Sequence, residues 1–263
     1  MKKKPLFIAF SSQKGGVGKS TFTALAASYL HYTLRYNVMV VDCDYPQTSL
    51  HSLRKREVEM VRQNEYYRNK AVALCNSIDK QPFRIITAKP EDAITTAYSF
   101  LGESTESYDV VFFDMAGTIN NNGMVATYLM LDYVFAPMLA SRMVLESTLT
   151  FITATKEYQK ANPDIHLKEI YLFWNRIDGR VKRDTIVAYE EVISALELKR
   201  LKTEIPQSVR FDREQSLHIK DGVFLSTLFP PDKHLLQGSN LDLLIEEIVS
   251  VTGLKTSGDE RGE

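Results

Sequence analysis

Four stretches of this chain are apolar along nearly their whole length: PLFIAFSS (5–12), NVMVVDCD (37–44), YDVVFFDM (108–115) and YVFAPML (133–139). A strand with one wet face alternates apolar and polar residues, so strands without that alternation must be covered on both faces. Helix-like segments separate them. Phe22, Leu25, Ala26 and Tyr29 recur at helical spacing between Ser20 and Arg35, and residues 47–80 are polar, basic and helical in composition. Pro90 opens a helix over 91–101, further helices follow over 142–161 and 183–198, and LDLLIEEIVSVT (241–252) is an amphipathic closing helix. Further strands are expected at RIITAK (84–89), EIYLFWNRI (169–177) and, at an edge, KTEIP (202–206). The alternation predicts an α/β fold, with a mostly parallel central sheet flanked by helices on both faces, in one domain over 1–254. The tail KTSGDERGE (255–263) has no apolar residue and is expected to be disordered.

Composition narrows the class. At 263 residues, 44% apolar and 25% charged, the chain can bury a sizeable core. A net charge of −1 argues against a protein basic throughout but leaves room for a local basic face. Cys43 and Cys75 belong to no Cys/His cluster, so a zinc site is not expected and a reducing cytoplasm fits them. The apolar run in MKKKPLFIAF is too short for a signal peptide, and no stretch approaches 18 consecutive apolar residues, so no membrane span is expected.

Between the first strand and the first helix lies SSQKGGVGKST (11–21). Gly15, Gly16 and Gly18 let backbone N–H groups turn inward around an anion, and the helix N-terminus at Ser20 adds its positive end. Lys19 would sit against the β- and γ-phosphates of a nucleotide, Ser20 would offer a hydroxyl to Mg²⁺, and Thr21 would bond an α-phosphate oxygen. The common pattern G-x-x-x-x-G-K-[ST] demands Gly at position 13, where this chain has Gln13, followed by an additional lysine, Lys14.

Lys14-Gly15-Gly16-Val17-Gly18-Lys19-Ser20-Thr21 resembles the deviant Walker A motif of the ParA/MinD/Soj superfamily of P-loop ATPases. The resemblance implies a P-loop NTPase fold, ATP and Mg²⁺ as ligands, Lys19 as the P-loop lysine, and Lys14 as a lysine that reaches the nucleotide of a partner subunit. VVDCDYPQTS (40–49) is similar to the family's acid-Pro-Gln stretch, which implies that Asp44 orients the attacking water. Asp42 is the alternative, or an outer-sphere contact to Mg²⁺. Tyr45 between Asp44 and Pro46 departs from the Asp-Pro of many members. Asp114, at the end of a Walker B-like strand, would hold Mg²⁺ through water, with Met115-Ala116-Gly117-Thr118 as a switch segment whose Gly117 N–H faces the γ-phosphate. Asn175 and the backbone near Pro206 and Gln207 would line the base. Asn175-Arg176-Ile177-Asp178 also nearly fits the guanine-reading pattern N-K-x-D, which raises GTP as an alternative. The likeness spreads over most of 5–220 and is weak from about 50 to 105.

The resemblance further implies a slow, partner-stimulated ATPase that forms a homodimer with ATP, binds DNA non-specifically and works with a ParB-type adaptor in DNA partition or mobile-element maintenance, with a nucleoid association if DNA is bound. Candidate phosphate contacts are Arg176, Arg180, Lys182, Arg183, Arg210 and Arg213, with Lys199, Arg200 and Lys202 as a second cluster and Arg54-Lys55-Arg56 as a third. Asp242, Glu246 and Glu247 on the closing helix disfavour an anionic membrane surface. Other readings are a nucleotide-switched positioning regulator of a protein or conjugation complex without DNA binding, a GTPase, and a metabolic kinase or synthetase.

Overall fold

The computed structural model describes residues 4–115, 122–162, 165–180, 183–214 and 222–256. Seven strands form one sheet: β1 (Leu6–Phe10), β2 (Val38–Cys43), β3 (Arg84–Thr87), β4 (Val110–Met115), β5 (Tyr133–Met138), β6 (Glu169–Trp174) and β7 (Lys199–Arg200). Their order is β3-β2-β4-β1-β5-β6-β7, and every pairing is parallel. This arrangement brings all strand C-termini to one edge, where ligands of open α/β sheets bind. Register fixes the contacts there: Phe10 pairs with Asp114, and Asp42 pairs with Asp114.

Burial on both faces explains the unbroken apolar runs. Ile8, Phe10, Val38, Val40, Val110 and Phe112 face one core; the alternate residues Phe7, Ala9, Met39, Val41, Val111 and Phe113 face the other. Helix α1 (Lys19–Ser28) covers the first face. The second face is packed by residues of four helices: α4 (Ala93–Glu103), α5 (Asn122–Leu129, through Tyr128), α6 (Arg142–Ala161) and α7 (Arg183–Ala195). The closing helix α9 (Leu241–Thr252) turns Leu241, Leu244, Ile245 and Ile248 into the first core, so its apolar side is already occupied. Among the described residues, no helix is long and apolar enough to cross a membrane.

Two expectations need revision, and the helical character of residues 47–80 is borne out with a break in it. The helix expected from Ser20 to Arg35 is α-helical only to Ser28; Tyr29–Thr33 is a π turn. That turn carries His31 to the carbonyl of Gln81 (2.8 Å) and the Tyr32 hydroxyl to the carbonyl of Thr227 (2.9 Å). Residues 47–80 form two helices, α2 (Ser49–Gln63) and α3 (Glu65–Ile78), divided where Asn64 accepts hydrogen bonds from Tyr66 and Tyr67 N–H. The edge strand lies at Lys199–Arg200 instead of 202–206. The Lys202 and Thr203 N–H groups, at 2.7 and 2.9 Å, are claimed by the Glu247 carboxylate from α9, and Pro206 has no N–H to give a ladder. An isolated bridge between Ile177 and Pro206 remains there. A further short helix is α8 (Lys233–Leu236). The switch residues Ala116, Gly117 and Thr118, together with Lys182 and most of the tail, lie outside the described residues.

Candidate functional site

Strand β1 ends at Phe10 and the glycine loop follows, closing into α1 at Lys19. Gly16 (φ 74°) and Gly18 (φ 89°) hold left-handed backbone conformations that side chains oppose, so the loop depends on glycine there. The two lysines part company. Lys19 is buried and folds back, its ammonium donating to the Lys14 carbonyl at 3.1 Å. Burial lowers its pKa, while Asp114 and Asp44 nearby pull in the opposite direction. The Lys14 backbone N–H donates to Ser12 Oγ (3.3 Å), but the half-buried Lys14 ammonium has no partner among the described residues.

Three acids stand at the strand ends. Asp114 is fully buried, and neither carboxylate oxygen has a hydrogen-bond partner among the described residues. Burial first, then Asp42 and Asp44, pushes its carboxyl up to about 7; Ser20 and Lys19 oppose this, with the Ser20 hydroxyl facing it outside hydrogen-bond geometry. An orphaned buried carboxylate beside a serine hydroxyl fits the donor chemistry of a hard, oxygen-seeking cation such as Mg²⁺. Asp42 is equally buried but engaged: it accepts from Asp44 N–H (3.3 Å) and from His51 N–H in the first turn of α2 (2.9 Å). Burial raises its pKa and those N–H groups lower it. Asp44 is half-buried and accepts from the Ser49 hydroxyl at 3.0 Å, leaving its second carboxylate oxygen without a partner among the described residues.

Beside the loop opens a cleft of about 180 Å³ lined by Gly18, Thr21, Phe22, Asn175, Gln207 and Phe211, among others. Asn175 Nδ2 donates to the Val17 carbonyl at 2.9 Å, stapling the end of β6 to the glycine loop. Gln207 is placed by its N–H to the Ile177 carbonyl (3.0 Å), while Pro206 forms the bridge behind it. The structure thus gathers Gly18 and Thr21 of the glycine loop with Asn175 and Gln207, which lie far along the chain. The aromatic walls Phe22 and Phe211 were not foreseen as site residues: Phe22 carries a core-helix signal, and Phe211 carries no signal. Asp178 does not line the cleft; it is held by Arg180 Nε at 3.0 Å, which lowers its carboxyl to about 2.

The basic candidates are largely spoken for. Arg54 lies over the Phe83 ring and donates to Thr227 Oγ1 (2.7 Å) and O (2.8 Å) and to Phe83 O (3.1 Å), so it belongs to packing and not to an exposed phosphate contact. Arg56 pairs with Glu214, Arg183 with Glu204, Lys199 with Glu169 and Arg200 with Glu190. Arg210 donates to the carbonyls of Leu235 and Gln237. Among the described residues, Lys55, Arg176, Lys202 and Arg213 stand outside any ion pair.

A glycine loop after β1, a lysine folded into it, a serine opening α1 and an unpartnered buried aspartate ending β4 define a P-loop nucleotide-binding α/β protein. Residues 8–219 match the family described as the CobQ/CobB/MinD/ParA nucleotide binding domain, and the chain belongs to that family. Among solved structures, it is similar to the ATP complex of a substituted McdA of Cyanothece, at 16% identity over 96% of this chain and 98% of that one, with a TM-score of 0.58. It is also similar to a plasmid partition protein of Borrelia burgdorferi (20% identity, 95% and 100% coverage, TM-score 0.56). A third likeness is to cobyrinic acid a,c-diamide synthase of Mycobacterium smegmatis with bound ADP and magnesium (21% identity, 78% and 87% coverage, TM-score 0.52). These are likenesses of fold. No curated protein matches the sequence.

Proposed function

We propose that the chain is a ParA-type nucleotide switch that binds ATP with Mg²⁺, pairs with a second copy across the nucleotide and hydrolyses ATP slowly. The observation that carries this reading is the division of labour between the lysines: Lys19 is folded into its own loop, whereas the Lys14 ammonium has no partner among the described residues of its own chain. In the proposed assembly, Lys14 finds its phosphate on the partner subunit. Backbone N–H groups from Gly15 to Gly18 and the opening turn of α1 at Ser20 and Thr21 would cradle the phosphates. Ser20 and Asp114 would hold Mg²⁺, with Asp42 further out; the ion would neutralise charge on the phosphate oxygens. Asp44, with one carboxylate oxygen anchored by Ser49 and the other without a partner, would orient the water. Asn175, Phe22, Phe211 and the Pro206–Gln207 backbone would receive the base. The removal of Asp178 from the cleft supports adenine over guanine.

Size-exclusion chromatography with ATP and with ADP tests this reading. Wild type should dimerise with ATP alone, and Lys14→Gln should keep monomeric nucleotide binding but lose the dimer. A Lys14→Gln variant that dimerises normally would place the lysine elsewhere. Asp44→Ala should dimerise with ATP and turn over slowly.

Non-specific DNA binding by the dimer, a ParB-type adaptor and a role in plasmid or mobile-element maintenance extend the same reading. The engagement of Arg54, Arg56, Arg183, Lys199, Arg200 and Arg210 within the chain supports the alternative of a regulator that positions a protein or conjugation complex, whereas Lys55, Arg176, Lys202 and Arg213 remain outside any ion pair among the described residues. Retention on DNA with ATP, lost with ADP or at high salt, supports partition. No retention with a non-hydrolysable analogue favours the protein cargo.

A further inference from the structure

A cavity of about 660 Å³ lies at the opposite edge of the sheet from the nucleotide site, where β2, β3 and β4 begin. Its size suits a metabolite-sized ligand. Phe83, Tyr108 and Val38 form its buried part. Two cations line it, and neither pairs with an acid. The Arg84 side chain makes no hydrogen bond or ion pair within the described chain; its guanidinium lies only loosely over the Phe100 ring (5.9 Å). Lys80 is fixed at the wall, its ammonium donating to the Arg35 carbonyl and to Asn37 Oδ1 at 2.8 Å. Burial lowers its pKa while Asp109 opposes that, so desolvation is present at the wall.

The remaining uncharged polar groups are amides and hydroxyls, each able to donate to an anion. The side chains of Asn76, Gln81, Thr105 and Ser107 have no partner in the described chain. Of the two acids, Glu106 is engaged by the Tyr108 hydroxyl at 2.7 Å, and Asp79 occupies the left-handed turn after α3 (φ 53°). An arginine fork without an acid, beside a lysine held in place, is the recognition chemistry of a carboxylate or phosphate. We propose that this cavity is a second ligand site, distinct from the glycine loop, that takes a small multivalent oxyanion gripped by Arg84 and Lys80.

The cavity carries its own reporter. Cys75 lines it and is partly exposed, whereas Cys43 is fully buried, so a thiol reagent on the folded protein reads Cys75. Burial raises the Cys75 pKa, so labelling belongs on the alkaline side of neutrality. The test is the rate of iodoacetamide alkylation of full-length protein, located by peptide mass mapping, in citrate or pyrophosphate against chloride of equal ionic strength. Saturable protection is expected, with about fivefold slowing at four times the dissociation constant. Protection by citrate alone identifies a carboxylate site, by pyrophosphate alone a phosphate site, and by both a general oxyanion site. Arg84→Gln, an exposed position outside the core, should abolish protection, and Lys19→Ala should keep it. The proposal is overturned if neither anion protects beyond chloride, if Arg84→Gln retains the protection, or if Lys19→Ala removes it.

Discussion

Asp114 holds two buried oxygens with no hydrogen-bond partner among the described residues, and that has a measurable cost. With its pKa raised to about 7, the folded protein keeps a proton that the unfolded chain releases near pH 4. The resulting stabilisation is complete below about pH 4 and is lost as pH rises through 7. Asp114→Asn should therefore melt higher than wild type at pH 8 in EDTA without nucleotide, by as much as about 4 kcal/mol, and show no advantage near pH 4. His31 has the opposite sign. Burial lowers it to about 4, so its contribution is present above about pH 6.5 and is lost as pH falls through 4, about 3 kcal/mol in all. Over pH 4–7 the two slopes oppose each other. Thermal denaturation across that range should be flatter for wild type than for either variant: Asp114→Asn should lose stability on acidification, and His31→Phe should gain it.

At the scale of elements, the strands and most helices were legible because burial on both faces leaves an unbroken apolar signature. The failures were local hydrogen bonds made to distant partners. Nothing in KTEIP announces that Glu247, over forty residues on, takes two of its N–H groups. The break between α2 and α3 did carry a signal, an Asn followed by Glu-Tyr-Tyr at a helix start, masked by the uniform polarity of 47–80. Asn64→Ala should cost about 1 kcal/mol in urea denaturation, the usual loss for a helix cap, without moving the nucleotide site. A loss under about 0.3 kcal/mol would show that tertiary packing alone sets the break.

For the molecule as a whole, the candidate site was legible where its chemistry is contiguous: Lys14 to Thr21 is a single loop, and Asp42, Asp44 and Asp114 each end a recognisable strand. The walls of the base cleft were not, because Phe22 and Phe211 meet only through folding and neither has a chemistry of its own to advertise. The cleft and loop together predict a ligand-linked stability. ATP with Mg²⁺ at a hundred times its dissociation constant should stabilise the fold by about 2.7 kcal/mol in a thermal-shift assay, and Lys19→Ala should show no shift. GTP should give the smaller shift; an equal one would return the guanine reading.

The Asn175 amide spans both halves of that site, since it lines the base cleft and ties down the Val17 carbonyl of the loop. One side chain therefore sets the spacing between whatever recognises the base and whatever grips the phosphates. A lineage that replaced Asn175 to change base preference would slacken the phosphate grip in the same step. In the proposed nucleotide complex, base choice and phosphate grip are thus coupled through this one hydrogen bond.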